Sequence, residues 1–328
     1  MNPQRAEVEH DHSRSFHQLR PTIVDSRGLR YGDFLKTLSP RYRQLYRDIG
    51  LGYAALIATC ILVIALPAHR LLSSPLAAGL GALSIGFWVA YLNLFIHEGA
   101  HFNFSSDPAH SDQVCNLLIS WIMGMPVQRY RTVHFQHHRL LGSVHDSERT
   151  YFLPLNPPFV AKGLLGVRAL EVLMSRRTLL EKAAARDVRD VHFRLAAVAV
   201  HLLTLAAMYV FGSIWLTAAW IVGIGAVFPF LGALRQLLEH RDGRAKSDVN
   251  YFDTNHGAYT RVFGTGPFSS TFGGAGFNRH LLHHWEPSVS YTNLPELELY
   301  LLDTTAARLI EMRRSSYLQT FVSLFRIR

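Results

Sequence analysis

Three short histidine clusters constrain this chain more than any other feature of its sequence. They read HEGAH at residues 97–101, HFQHH at 134–138 and HLLHH at 280–284, and are called boxes I, II and III. Within each box the histidines lie three or four residues apart, so on an α-helix they share one face. Such a spacing has little use except to hold metal, and the fold must therefore bring three distant segments together.

The apolar residues are gathered into blocks. The chain is 49% hydrophobic over 328 residues, with a mean hydropathy of +0.10. Four blocks lie at about 51–68, 76–96, 193–212 and 213–234. A helix rises about 1.5 Å per residue and a hydrocarbon core is about 30 Å thick, so each block nearly spans a membrane. The short turns near 69–75 and 212–213 predict two antiparallel hairpins. We therefore predict an all-α integral membrane protein with four transmembrane helices in two hairpins and a cytosolic helical cap holding the boxes.

The remaining chain divides around these blocks. Residues 1–50 are predicted to form a basic cytoplasmic segment whose first twenty residues are disordered, with no cleavable signal peptide. Residues 51–300 form the membrane domain, and residues 301–328 a basic cytoplasmic tail. Val114 to Pro126 is apolar but too short to span, which favours an interfacial helix. Residues 168–190 resemble an amphipathic surface helix.

Charge predicts the orientation in the membrane. The net charge is +9, and nearly all lysines and arginines lie outside the two short turns. Positive residues stay on the cytoplasmic side, so both hairpins enter from the cytoplasm and return to it. Both termini and all three boxes are then cytoplasmic. The basic balance fits a membrane surface better than a nucleic acid. Cys60 and Cys115 lie in or beside apolar blocks, which makes a disulfide framework unlikely.

The number of imidazoles indicates which metal site to expect. Imidazole suits zinc, iron, copper and nickel, but one zinc takes four ligands and a catalytic zinc takes three from the protein. The boxes supply eight histidines, and His240 at the end of the fourth block is a ninth candidate. This surplus favours two metals of higher coordination number, and histidine ligands in a membrane scaffold point toward a di-iron, oxygen-activating site.

Several polar residues are candidates to support such a site. Gln236 lies four residues before His240 on the same helical face and could hold a metal-bound water. Asp146 and Glu148 could hydrogen-bond to ligand imidazoles, although solvated loop acids are an equally good interpretation. Glu239 is a further candidate, and it could instead pair with Arg235 at i, i+4.

Other histidines have simpler interpretations. His201 lies inside the third block, where a hydrogen bond within the helix bundle is expected. His145, His192 and His256 stand alone, and structural or surface roles are expected for them.

The boxes resemble those of the membrane fatty acid desaturase and hydroxylase superfamily. The resemblance covers residues 51–300 and includes the run from Asn278 to Pro287 and the Asn293-Leu294-Pro295 that follows. It implies four membrane helices, a cytosolic cap with two irons, O2 as oxidant and an external electron donor of the ferredoxin, rubredoxin or cytochrome b5 type. It also makes Asn278 a candidate supporting residue. The implied ligands are His97, His101, His134, His137, His138, His240, His280, His283 and His284.

Two alternatives are weaker. HEGAH is a literal H-E-x-x-H, the zinc metalloprotease signature, with Glu98 as general base. That interpretation leaves at least five box histidines without a role. A metal transporter would place its site near the bilayer midplane, whereas these boxes lie beyond the helix ends.

The expected reaction is oxidation of an unactivated C–H bond in a fatty acyl lipid. Desaturation is favoured because box III and its continuation look like acyl desaturases. Hydroxylation, or the hydroxylase and ketolase chemistry of carotenoids, is the alternative within the same superfamily. The bond position, the chain length and its carrier, and the electron donor are not readable from the sequence.

Overall fold

Helices make up the regular structure of this chain. The computed structural model describes residues 12–143, 145–167, 169–171, 188–241 and 260–325. In those ranges β-pairing is limited to isolated bridges such as Val24 with Arg30. The α-helices, numbered in chain order, are α1 His12–Leu19, α2 Tyr31–Thr37, α3 Tyr42–Ala68, α4 Ser74–Asn93, α5 Phe95–Ala100, α6 Pro108–Leu118, α7 Val127–Leu140, α8 Pro157–Leu164, α9 Val188–Ala207, α10 Ile214–Val222, α11 Phe228–His240, α12 Pro267–Phe272, α13 His280–Trp285, α14 Leu294–Leu302, α15 Ala307–Glu311 and α16 Tyr317–Leu324.

Four continuous helical stretches are long and apolar enough to cross a membrane. They are Tyr42–Ala68, Ser74–Ala100, Asp190–Gly212 and Ile214–His240, called spans one to four. The prediction of an all-α chain with four such helices is therefore confirmed. Span one begins nine residues before the predicted residue 51, and span four continues six residues past 234. Hydropathy marks only the apolar length, whereas the helical hydrogen bonds continue into the polar flanks.

Small residues let the spans approach one another. Spans one and two are joined by residues 69–73 and pack against each other. A Cβ added at Gly52 would lie 2.8 Å from Leu92 in span two. A Cβ at Gly223 in span four would lie 2.8 Å from Ile85 and 3.0 Å from the Ala82 carbonyl oxygen. Gly223 opens a π-helical segment, Gly223–Val227, that joins α10 to α11. Close contacts of this kind supply packing where lipid removes the hydrophobic driving force.

Span three differs from the other spans in its surroundings. Only 6% of its apolar window is buried, against 50% for span two and 44% for span four. Most of its side chains therefore face outward, as lipid contact in a membrane would require. Spans one, two and four form the packed part of the bundle, and span two reaches from that bundle directly into box I.

The N-terminal segment packs against box III, which contradicts the expectation of a disordered tail for residues 12–20. Phe16 is fully buried, and its ring stacks on Trp285, the last residue of α13, with centroids 4.2 Å apart. Arg20 pairs with Glu286 at 2.9 Å. Composition predicted disorder because the segment is polar overall. The structure shows instead that one aromatic side chain and one ion pair anchor it.

The C-terminal residues also pack, although they were expected to form a tail. Two short helices, α15 and α16, lie there. Ser316 and Gln319 form a capping box at the start of α16. Tyr317 is buried and stacks on Phe263 with centroids 3.9 Å apart. The end of the chain therefore closes over the segment that precedes box III.

The section between spans two and three agrees in part with the predictions. The apolar run from Val114 to Pro126 forms the end of α6 and a 3-10 turn, Ser120–Ile122. Most of the amphipathic helix predicted for residues 168–190 lies outside the described residues.

Candidate metal centre

Box I lies at the C-terminal end of span two. The chain makes a turn at Leu94 between α4 and α5, so α5 carries His97 beyond the end of α4. His97 is buried, and His101 directly follows the last residue of α5. Arg131 of α7 donates to the carbonyl oxygens of Ala100 at 2.7 Å and Gly99 at 3.0 Å. These bonds engage carbonyl groups at the end of α5 and fix box I against the helix of box II.

Box II lies on α7 and box III on α13. Gly276 precedes box III with a φ of 82°, and a Cβ there would lie 2.6 Å from Tyr291. Only glycine accepts both this left-handed backbone and this close approach without strain. The turn brings Phe277 beside two ligand candidates, with ring centroids 4.6 Å from His97 and 4.8 Å from His280.

The three boxes and His240 converge in two adjacent groups of side chains. In each group the candidate ligand atoms all lie within 4.8 Å of one another. The first group, the five-imidazole cluster, contains His97, His101, His134, His138 and His283. The second, the four-imidazole cluster, contains His137, His240, His280 and His284. The two clusters are neighbours, since the rings of His138 and His284 have centroids 4.4 Å apart. The structure thus brings together all nine histidines singled out in the sequence.

Helical geometry explains how two boxes divide between the clusters. Residues four apart are rotated by only about 40°, whereas adjacent residues are rotated by about 100°. The i, i+4 pairs therefore stay together, and His134 and His138 both enter the five-imidazole cluster. His137, one residue before His138, reaches the four-imidazole cluster. Box III shows the reverse arrangement, with His283 crossing to the five-imidazole cluster. The expectation that all histidines of one box point in the same direction is therefore wrong for boxes II and III.

The ring nitrogens fit metal ions better than they fit each other. The Nε2 atoms of His138 and His134 lie 2.9 Å apart, as do those of His280 and His240. Nitrogens that bind one ion at about 2.1 Å and at right angles lie roughly 3 Å apart. Among the described residues, the Nε2 atoms of His97 and His137 are buried without a hydrogen-bond partner. Buried polar atoms without partners are costly, and a bound ion would satisfy them.

Burial also keeps these rings in the form that binds metal. It lowers the pKa of His101 to about 4 and that of His138 to about 2. The pKa values of His283 and His284 are likewise well below the usual value because of burial. A neutral imidazole has a lone pair to donate, so the cluster is prepared for metal at neutral pH.

His137 differs from the other rings because a buried carboxylate supports it. Asp146 accepts from His137 Nδ1, with oxygen atoms at 2.9 and 3.0 Å, and Tyr151 donates to the same carboxylate. Burial alone would lower the pKa of His137, but the charge of Glu148 and the hydrogen bond to Asp146 raise it. The arrangement leaves Nε2 free for metal and fixes the tautomer of the ring. Tyr151 was not anticipated from the sequence, which offers no spacing signal for it.

Glu98 is committed to contacts outside the imidazole clusters. Its Oε2 accepts from Asn103 at 3.0 Å, from the Ser290 hydroxyl at 3.0 Å and from the Tyr291 backbone N–H at 3.2 Å. These bonds join box I to the turn that follows box III. His97 is its neighbour in sequence, with 3.7 Å between Nδ1 and Oε1.

Three other supporting candidates, Gln236, Glu148 and Asn278, lie near the clusters and make different contacts. Gln236 donates to Glu148 at 2.8 Å and accepts from the Thr150 backbone N–H at 3.2 Å, so both ends of its amide are engaged. Glu148 lies 4.0 Å from His134 Nδ1. Asn278 donates to the Gly264 carbonyl at 3.0 Å and supports the loop before box III.

Glu239 lies beside the four-imidazole cluster. It is buried, and its Oε2 lies 4.0 Å from His280 Nε2. The anticipated i, i+4 pair with Arg235 is present at 3.6 Å.

The lone histidines that the structure describes are not members of either cluster. His201 makes a hydrogen bond within the bundle as expected, since its Nε2 donates to the Ile122 carbonyl oxygen at 3.2 Å. His145 and His192 are exposed. His256 lies outside the described residues.

The sequence matches the family model described as Fatty acid desaturase over residues 73–316. The match covers more than half of the chain and includes all three boxes. This chain therefore belongs to the fatty acid desaturase family. With its four apolar helices and two histidine clusters, it is a membrane protein of an oxidoreductase family, with a centre suited to metal. A comparison with curated proteins gives no match.

Proposed function

We propose that this protein uses O2 to oxidise an unactivated C–H bond of a fatty acyl lipid at two iron ions held by the nine histidines. The convergence of nine imidazoles in two adjacent clusters at the ends of apolar spans carries the proposal. Family membership supports the type of reaction, and the apolar spans support a lipid substrate that arrives from the membrane.

The ligand number favours iron over zinc. A structural zinc takes four protein ligands and a catalytic zinc takes three, whereas one cluster here presents five imidazoles. Imidazole is also a common ligand of iron. Purified protein is expected to bind about two iron ions per chain and little zinc. A single zinc per chain, with activity restored by zinc alone, would contradict the proposal.

The protein's part is to hold the metals and position the substrate. Iron, when bound, supplies the activation of O2 that C–H oxidation requires. Asp146 fixes the ring of His137, and Arg131 fixes the end of box I. Burial of the imidazoles excludes water from the reacting centre. A donor protein of the ferredoxin, rubredoxin or cytochrome b5 type supplies the electrons.

A small cavity offers the acyl chain a route toward the site. It lies between spans two and four, and its lining includes Phe87 and Phe228 as well as Asn93 and Arg235. Asn93 is four residues before His97, and Arg235 is four residues before Glu239. Both polar residues lie about one helical turn before the site, so an apolar chain that enters between these spans would be directed toward the imidazoles.

We favour desaturation, with hydroxylation of a lipid or carotenoid as the alternative. Removal of a second hydrogen gives an alkene, and return of a hydroxyl gives an alcohol. Mass spectrometry of lipids from cells that express the protein or its His138→Ala variant tests both. New double bonds that depend on His138 are expected, new hydroxyl groups would establish the alternative, and identical lipid profiles would contradict both.

Metalloprotease chemistry gains no support from the site. Glu98 would have to activate a zinc-bound water, but its Oε2 already accepts three hydrogen bonds from Asn103, Ser290 and Tyr291. The five-imidazole cluster also contains His134, His138 and His283, of which a three-ligand H-E-x-x-H zinc site would use at most one.

The orientation in the membrane is part of the proposal. Both hairpins start and end in the cytoplasm, so the termini, the boxes and the cap around them are cytoplasmic. The distribution of positive charge supports this orientation.

A further inference from the structure

The two clusters offer unequal numbers of ligands. The five-imidazole cluster has one more nitrogen donor than the four-imidazole cluster. If both hold the same metal, as the proposed function requires, the second ion has one protein ligand fewer. The question is whether a side chain other than histidine stands at the four-imidazole cluster.

Glu239 stands at that place, on the side from which the imidazoles donate. Its Oε2 lies 4.0 Å from His280 Nε2. That nitrogen faces the interior of the cluster, since it also lies 2.9 Å from His240 Nε2 and 3.2 Å from His284 Nε2. The carboxylate of Glu239 therefore approaches the atoms that would contact an ion.

Three other acids, of which Glu148 is only half-buried, approach the rings from the opposite side. Asp146 contacts the outer nitrogen, Nδ1, of His137, and Glu148 lies 4.0 Å from Nδ1 of His134. Glu98 also faces an Nδ1 atom, that of His97, at 3.7 Å. Acids at outer nitrogens orient ligands, whereas an acid at an inner nitrogen can itself be a ligand.

Among the described residues, the contacts of the other carboxylate oxygen of Glu239 are long. Its Oε1 lies 3.6 Å from Arg235 Nε and 3.5 Å from the Tyr317 hydroxyl. A carboxylate buried this completely needs compensating positive charge, and one long ion pair compensates it poorly. A cation beside Oε2 would supply the remainder. Ligand atoms on one ion lie roughly 3 Å apart, so Oε2 would have to move about one ångström closer to His280 Nε2 when an ion binds.

We propose that Glu239 supplies a carboxylate oxygen to the metal of the four-imidazole cluster. That ion then has five protein ligands, like its neighbour, but one of them is anionic. The inference rests on the proposed metal centre and adds to it a chemical difference between its two ions. An anionic oxygen ligand favours the more highly charged states of an ion relative to imidazole alone, so the two ions are not equivalent.

Metal titration of the full-length protein in detergent tests the assignment. Fe²⁺ under argon and Co²⁺ as a coloured probe are titrated against a competing chelator. Glu239→Gln removes the charge but keeps the size and an oxygen for Tyr317. It is expected to bind the first ion as the wild type does and the second about 10- to 100-fold more weakly. The Co²⁺ absorption of the second equivalent is expected to change.

Glu148→Gln is the matched control. It makes the same substitution in a neighbouring acid that faces an outer nitrogen of the five-imidazole cluster, so a loss of affinity is expected at the first ion, and the Co²⁺ absorption of the second equivalent is expected to stay unchanged. Folding is followed by the metal-induced rise in Tm of each variant, which compares every variant with its own metal-free form. Glu239→His, which restores a ligand atom, is expected to recover part of the second ion's affinity.

The outcomes separate this proposal from the proposed function. Two ions bound by Glu239→Gln with wild-type affinity and an unchanged Co²⁺ spectrum would overturn the assignment of Glu239 and leave the di-iron proposal standing. A wild-type protein that binds fewer than two ions would overturn both. Two ions with the expected loss in Glu239→Gln, but no oxidation of any lipid, would support Glu239 and contradict the proposed activity.

Discussion

At the scale of single residues, the two candidate chemistries make opposite demands on Glu98 and His138. Glu98→Gln keeps an acceptor for Asn103, Ser290 and Tyr291 but loses the charge. We expect lipid oxidation to fall by at most about 100-fold, since Glu98 acts only through its neighbours. His138→Ala removes a nitrogen from the five-imidazole cluster and is expected to abolish both iron binding and oxidation. Product formation and iron content are measured for both variants.

A protease would behave in the reverse way. Loss of a general base costs on the order of 10²–10⁴-fold in turnover, and His138 has no place in a single H-E-x-x-H site. An inactive Glu98→Gln beside an active His138→Ala would therefore contradict the metal centre described here.

The residues around the histidines show where sequence reasoning ends. Box spacing was enough to identify eight of the nine histidines, because periodicity on a helix is a local property, and His240 was added by its position at the end of the fourth block. Assignment to one cluster or the other depends on how three separate helices are oriented, so His137 and His283 could not be placed in advance. Arg131 contacts the carbonyl oxygen of Ala100, which is distant in sequence. Tyr151 contacts Asp146 within an irregular loop. Spacing carries no trace of such contacts.

At the scale of elements, α1 is expected to stabilise box III. Phe16 is fully buried against Trp285, so Phe16→Ala should lower the free energy of unfolding of this region by about 3–5 kcal/mol. Iron retention should fall with it, because α13 carries three candidate ligands. Thermal unfolding and iron content of the purified variant measure both effects.

His17→Ala is the control for that variant, because His17 is exposed and adjacent to Phe16. It should be nearly neutral, as surface substitutions usually change stability by no more than about 0.5 kcal/mol. Equal stability and iron content in Phe16→Ala and the wild type would mean that the docking of α1 is dispensable.

The cavity between spans two and four yields a separate prediction about the substrate. Gly232 lines it, and a Cβ there would meet nothing within 4 Å. A side chain at Gly232 therefore starts in open space, and Gly232→Phe is expected to block the cavity. We expect bound iron to stay near the wild-type level while oxidation falls or shifts to shorter acyl chains. Lipid mass spectrometry with acyl chains of several lengths measures the effect.

Gly79→Phe makes the same substitution in span two, where Gly79 is exposed and equally free of neighbours. It should leave both activity and chain-length preference unchanged. Unaltered oxidation in Gly232→Phe would show that the acyl chain reaches the site by another route.

At the scale of the whole molecule, the spans were predictable because their signal is composition over about twenty residues. The packing of the N-terminal and C-terminal helices was not predictable. Residues 12–20 look disordered by composition, yet a single buried ring, that of Phe16, decides their structure. The C-terminal helices likewise depend on Tyr317 fitting beside Phe263. Both ends of the chain therefore pack beside or over the segment that carries box III, and the site is supported by parts of the sequence that lack any histidine box.

The proposed orientation makes a prediction for the whole chain. With both hairpins entering from the cytoplasm, only residues near 69–75 and 212–213 reach the outer surface. Ser213 lies at the junction of spans three and four, so Ser213→Cys should react with a membrane-impermeant thiol reagent added to intact cells. Ser106→Cys lies in the exposed loop after box I and should react only after the membrane is opened.

The unsubstituted chain serves as the background, because Cys115 is buried and Cys60 is half-buried within span one. Labelling of Ser106→Cys in intact cells, with Ser213→Cys protected, would mean that the orientation is inverted and that the histidine clusters face outward. That result would place the imidazoles away from cytoplasmic electron donors and would contradict the proposed supply of electrons, even if the metal centre itself were intact.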